Sequence, residues 1–258
     1  MVFRFQTFAD FPIRHGMSQR CDDAPSEGDV AYARDTVESH ITANRSTFLQ
    51  EAGVELPDLT LGRQVHGEGV HVVTDEDRGR GQPPSFDAIP NSDGLVTADP
   101  DVALGIVVAD CVPILLYDPV QRAVGVVHAG WRGTVGRIGE NAVTVMADAF
   151  SSRPSDIWAG IGPSIGPCCY EVGDEVVDGW TAAGFTDASR AVVRRSPRSH
   201  YDLWTANRLT LERAGIPPAQ IETAGICTKC QGDQYFSHRA AMAGERPRGR
   251  MIMVAQLN

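Results

Sequence analysis

Between Asp93 and His128 the chain reads DGLVTADPDVALGIVVADCVPILLYDPVQRAVGVVH, where three or four apolar, β-branched runs are separated by Asp, Pro and Gly. Runs of that length with turn residues between them predict buried strands. Upstream, TVESHITANRSTFLQEAG sets Val37, Ile41, Phe48 and Ala52 near helical spacing and stops at Gly53, a residue suited to ending a helix. LTLGRQVHG and VHVVT predict two short strands around a turn containing Gly67 and Gly69, with His66 at a strand end. An acidic, glycine-rich loop over 75–84 follows. Beyond His128, Thr134 is positioned to cap a helix ending at Phe150, in which Val135, Ile138, Ala142, Val145 and Ala149 make one apolar stripe. The second half predicts a strand over 157–161, helices over 173–183 and 203–214, and strands over 221–226 and 251–256. No low-complexity linker and no internal repeat divides the chain. The expectation is an α+β fold with mixed central sheets in a single domain, 1–258.

Composition narrows the function class. The 258 residues are 42% hydrophobic, enough apolar material for one well-buried core without disulfide staples. A formal net charge of -10 argues against nucleic acid or an anionic membrane as the bulk partner and favours a small molecule. The first residues, MVFRFQTFADFPIRHG, contain no uninterrupted apolar run, so neither a signal peptide nor a membrane span is expected, and the location expected is cytoplasmic. In a reducing compartment the six cysteines read as thiols or metal ligands. Neither a Walker A sequence nor G-x-G-x-x-G is present, since GIGPSIG has the wrong glycine spacing.

Cys111 in VVADCVP and His128 in VVHAGWRG both end apolar runs, and adjacent strands would bring them together. Thiolate and imidazole are zinc donors, and His66 in RQVHG is the natural third. The spacings of 45 and 17 residues match no zinc-finger pattern, so unrelated core residues remain the competing reading. Cys168 and Cys169 are adjacent, which disfavours their chelating one ion together, and CTKC (227–230) has no second pair at zinc-site spacing.

RQVHG, ADCVPILLYDP, VGVVHAGWRGT, IGPSIGPCCYEV and the CTKC/YFSHR segment, in that order, resemble the multicopper polyphenol oxidoreductase, or laccase-domain, family. The resemblance implies a four-layer αββα sandwich and a zinc or copper site on His66, Cys111 and His128. It also implies a purine nucleoside phosphorylase, acting on adenosine, inosine and methylthioadenosine, with adenosine deaminase side activity; some bacterial members are described as peptidoglycan editing factors. Two departures stand out: IRHGMS replaces the family's TR-GGVS, and SHRA keeps only Arg239 of the usual arginine pair.

Such chemistry needs a proton carrier, for which Asp110 is the first candidate and Asp93 the second. Phosphorolysis needs an anion site, expected at Arg132, Gly133 and Thr134, where a helix start would supply N–H donors, with Arg239 as a further contact. Trp131 could stack on a base, though a core role is commoner. The expected partners are a nucleoside and phosphate, with the chain monomeric or weakly dimeric. Two alternatives compete: a hydrolase with Cys111 as nucleophile and His128 as base, editing a peptidoglycan precursor, and a copper-dependent polyphenol oxidase. The second is disfavoured by only seven histidines and no H-x-H pair.

Overall fold

Every apolar run between Asp93 and His128 is a strand in the computed structural model, which describes residues 2–32, 35–83, 86–185 and 187–258. In chain order the first half holds β1 (Val2–Phe3), β2 (Ile13–Ser18), α1 (Glu38–Ala52), β3 (Leu59–Leu61), β4 (Val70–Val72), β5 (Gly94–Thr97), β6 (Ala103–Val108), β7 (Val112–Asp118) and β8 (Ala123–Ala129). Then come α2 (Trp131–Val135), α3 (Ile138–Phe150), β9 (Trp158–Ile161), α4 (Asp174–Ala182), β10 (Val192–Val193) and β11 (His200–Tyr201). The chain finishes with α5 (Leu203–Arg213), β12 (Ile221–Thr223), α6 (His238–Met242) and β13 (Met251–Leu257).

Two mixed sheets result, one ordered β1-β2-β13-β6-β3 and the other β12-β9-β7-β8-β5-β4. Strand periodicity explains why they stack. Along β7, Val112, Ile114 and Leu116 join a core with Ile138, Ala142 and Met146 of α3 and Leu211 of α5. The alternate residues Leu115 and Tyr117 join Val124, Val126, Leu104, Ile106 and Met253 between the sheets. On the far side, Phe48 and Leu49 of α1 cover Ala103, Ile252 and Val254. The layers therefore run α, β, β, α, as the family resemblance implied. Both central strands are apolar on both faces because each face meets another layer.

Helix α1 ends where Gly53 adopts a left-handed φ of 78°, with its N–H returned to the last turn. Val37 lies outside that helix and is exposed. The two short strands expected around Gly67 and Gly69 form as β3 and β4 and lie in different sheets, β3 paired with β6 and β4 with β5. Three expectations need correction. The helix expected from Thr134 begins at Trp131 and breaks at Arg137, whose φ of 63° is left-handed, before α3 restarts. Within α3, Ile138, Ala142, Val143 and Met146 are buried, whereas Ala149, expected on the apolar stripe, is exposed. The strand expected over 221–226 ends at Thr223. Pro84, the last residue of the expected acidic loop, lies outside the described residues. Among the described residues no helix is long and apolar enough to cross a membrane.

Candidate metal centre

Strand register brings the first two residues together. Val112 pairs with Ala129 and Pro113 with His128, so Cys111, one residue before β7, lies beside the end of β8. His66 arrives from the loop between β3 and β4, with its backbone at a left-handed φ of 60°. One ligand atom each from His66, Cys111 and His128 falls within 4.8 Å of the others. The two imidazoles meet edge to face, with centroids 4.8 Å apart.

Asp93 organises this arrangement. Its fully buried carboxylate accepts the N–H groups of Val65 (3.0 Å), His66 (2.9 Å) and Gly67 (3.0 Å), and contacts His128 Nδ1 at 2.8 Å. Those bonds fix the unusual loop and leave His128 Nε2 as the nitrogen free to face Cys111. Burial opposes ionisation of Asp93, but His128 and the backbone donors outweigh it and hold the carboxyl below its ordinary range. Burial would likewise raise the Cys111 thiol, yet the two imidazoles bring it down to about 6. His128 is pushed up to about 9: burial disfavours its charge, and the Asp93 carboxylate and Cys111 more than restore it. The centre is thus poised as a thiolate between two imidazoles.

Gly130, at the start of α2, completes the wall. Its φ of -73° and ψ of 174° are open to any residue, so conformation does not require glycine there. Space is tight, however: a Cβ at Gly130 would sit 3.1 Å from Cys111 Sγ and 3.3 Å from His66 Cδ2, so those side chains would have to give by a few tenths of an ångström. At Gly133 a Cβ would come within 2.8 Å of the Gly67 carbonyl, so this glycine lets α2 press against the loop carrying His66.

The three residues open on a cavity of about 490 Å³, walled also by Gln64, Asp110, Tyr170, His238, Arg239 and Arg250. Asp110 takes a φ of 78° and accepts hydrogen bonds from Thr228 Oγ1 (2.7 Å), Ser237 Oγ (3.0 Å) and Arg239 N (2.6 Å). It therefore ties the Thr228 loop and the start of α6 to the residue next to Cys111. Arg239 donates to the Glu171 carbonyl at 2.9 Å and lies over the Tyr170 ring. Gln64 makes a two-way bond with the backbone of Val107, at 2.8 Å each, extending the edge of β6 where β3 has ended.

Two expected contributors fall elsewhere. Asp93, the second proton-carrier candidate, has no exposed surface, and its bonds hold the loop and His128 in place. Arg132, Gly133 and Thr134, expected to hold an anion, do not line this cavity. Thr134 lies inside α2 with N–H and hydroxyl both donated to the Gly130 carbonyl, at 2.8 and 2.9 Å. Gly133 is buried, and the exposed Arg132 lays its guanidinium over the Trp131 ring at 4.4 Å, outside the cavity wall. Positive charge in the cavity comes instead from Arg239 and Arg250. Gln64 and His238 sit next to or near residues already singled out, in RQVHG and SHRA; Arg250 follows a surface-like basic stretch and carried no signal.

The chain is 34% identical over 235 residues to purine nucleoside phosphorylase YlmD of Bacillus subtilis, an alignment covering 91% of this chain and 84% of that protein. It is 39% identical over 198 residues to adenosine deaminase RL5 of an unknown prokaryotic organism, covering 76% and 74% respectively. The crystal structure of YlmD from Geobacillus stearothermophilus superposes with a TM-score of 0.90 at 33% identity, over 98% of this chain and 94% of that one. Residues 14–258 match the model of the multi-copper polyphenol oxidoreductase laccase family, and it is to this family that the chain belongs.

Proposed function

We infer that the protein is a metal-dependent purine nucleoside phosphorylase, acting on adenosine, inosine and methylthioadenosine, with adenosine deamination as a side activity. The observation that carries this reading is the meeting of one thiol and two imidazoles at the wall of a cavity that also presents two guanidinium groups. Relatives named for phosphorolysis and for deamination support the substrate class.

The donor set fits zinc. Three N/S ligands with an orienting carboxylate behind one histidine are the pattern of open zinc centres. Copper is the second choice, since two imidazoles and a thiolate also suit it. Bound by His66, Cys111 and His128, the ion supplies Lewis acidity and positive charge beside the substrate. The chain's own groups do the rest. Arg239 and Arg250 hold phosphate oxygens, the Tyr170 ring gives the base or sugar an apolar wall, and Asp110 is the carboxylate in reach of a substrate proton. The free thiols fit a reducing cytoplasm.

One observation favours a second reading. Cys111, His128 and Asp93 follow one another as thiol, imidazole and carboxylate, the order of a cysteine hydrolase, and the thiol is already lowered to about 6. The polyphenol oxidase reading has less support, because among the described residues the only other cluster of metal-ligating side chains is made of cysteines alone.

Product analysis separates these. Adenosine with phosphate should yield adenine and ribose 1-phosphate, and chelation should abolish the reaction. No ribose 1-phosphate at saturating phosphate would overturn the phosphorylase. Activity that survives chelation but not thiol alkylation would establish the hydrolase.

A further inference from the structure

The cysteines that looked unconnected in sequence share one point in space. Sulfur atoms of Cys168, Cys169, Cys227 and Cys230 all lie within 4.8 Å of one another. Cys230 Sγ is 3.5 Å from Cys168 Sγ and 3.4 Å from Cys169 Sγ. A disulfide needs about 2.05 Å, so none of these contacts is one. Four sulfurs at the usual zinc–sulfur distance of about 2.3 Å define a tetrahedron with edges of about 3.8 Å, close to the spacings seen.

Two loops build the cluster. Cys168 and Cys169 sit in a tight turn in which the N–H groups of Cys169 and Tyr170 both return to the Gly166 carbonyl at 3.0 Å. In an extended strand neighbouring side chains would point to opposite faces; the turn brings both sulfurs round to one side. Cys227 and Cys230 flank a second turn. There Cys227 Sγ accepts the N–H of Gly166, at 3.3 Å, and that of Cys230. Backbone N–H groups aimed at a sulfur stabilise thiolate, not thiol. Burial opposes that charge, yet these donors keep Cys227 below its ordinary range.

We propose that Cys168, Cys169, Cys227 and Cys230 form a second, structural metal site that binds one zinc ion through four thiolates, apart from the centre at Cys111. Binding one Zn²⁺ forms four Zn–S bonds and releases one proton from each thiol, giving a site of net charge -2 with no change of oxidation state. A single ion fits better than a multi-iron cluster, whose own core would hold the sulfurs further apart. The site staples a loop that lines the cavity to one that bonds a residue of its wall. One carries Ile165 and Tyr170; the other carries Thr228, whose hydroxyl bonds Asp110 at 2.7 Å.

The test uses the full chain carrying Cys111→Ala, purified under reducing conditions, so that any thiolate-to-metal signal must come from elsewhere. Stripped of metal and titrated with Co²⁺, this variant should develop tetrahedral ligand-field bands and thiolate-to-cobalt charge-transfer absorption, saturating at one equivalent and bleached by one equivalent of Zn²⁺. Adding Cys227→Ser and Cys230→Ser should remove the charge-transfer band. If that triple variant does not fold, zinc-edge X-ray absorption of the Cys111→Ala protein gives the answer directly, with four sulfur neighbours at about 2.3 Å expected. Absence of the band in Cys111→Ala, its survival in a folded triple variant, or a native disulfide among these cysteines in anaerobically purified protein would each overturn the proposal. Because Cys111 is absent throughout, the outcome is independent of whether the first centre holds a metal.

Discussion

Asp93 and Gly130 both shape the centre, one by bonding to His128 and to the backbone that carries His66, the other by leaving room beside Cys111 and His66. Each Asp93 oxygen accepts more than one donor: Oδ1 takes His66 N–H and faces His128 Nδ1, and Oδ2 takes the N–H groups of Val65 and Gly67. In Asp93→Asn the amide NH₂ must face donors on whichever side it turns. Metal affinity should fall about 10- to 100-fold, the usual cost of losing a ligand's orienting partner, and the apoprotein should lose about 1–3 kcal/mol from the unsatisfied donors. Zinc titration and urea unfolding of the apoprotein read the two effects separately, and unchanged affinity would contradict the positioning role. Gly130→Ala should behave differently. Its backbone angles suit alanine, so stability should be unchanged or raised by up to about 1 kcal/mol, while the methyl 3.1 Å from Cys111 Sγ crowds the centre. Reduced metal content in a protein that melts no earlier than the parent is the expected result.

At the scale of elements, what was legible depended on whether the deciding contact is local. Gly53 stops α1 by its own backbone geometry, and the β7–β8 turn forces Cys111 against His128; both could be read from nearby residues. The partners of β3 and β4 could not, because each pairs with a strand far along the chain. Spacing arithmetic on CTKC likewise sees only two cysteines, since the others are some 61 or 62 residues away and meet it only in the folded loops. The error at α2 has the same origin. GWRGT reads as a helix start at Thr134, but packing against the His66 loop starts the helix at Trp131 and leaves Arg132 outside the cavity. This shift has a kinetic consequence. Arg239→Ala removes a guanidinium from the cavity wall and should raise the KM for phosphate roughly 10-fold or more, in keeping with about 1.5–3 kcal/mol for a charged hydrogen bond. Arg132→Ala should change it less than about twofold, as an exposed charge contributes little. A larger effect from Arg132 than from Arg239 would return the anion site to α2.

Across the whole molecule, the sandwich depends on a histidine far from the metal centre. His15, on β2, is buried against Phe5 and Phe8, and its Nε2 accepts the N–H of Phe5 at 3.2 Å, so the ring must stay neutral. Burial, with Arg4 nearby, lowers its pKa from 6.5 to about 4. The sign follows from linkage. Between these two values the unfolded chain binds a proton that the native protein refuses, so stability falls as the pH drops from 6.5 toward 4 and is unaffected by His15 above 6.5. The full shift corresponds to at most about 3 kcal/mol. Asp29 works in the other direction: burial raises its pKa despite backbone donors, so the native state binds its proton first as the pH falls. A difference measurement cancels that contribution. In His15→Gln the amide oxygen can still accept from Phe5 and nothing titrates, so the metal-free variant should lose up to about 3 kcal/mol less than the parent between about pH 7 and pH 4. Parallel urea-unfolding curves for the two proteins over that range would show that His15 has no part in the acid sensitivity of the fold.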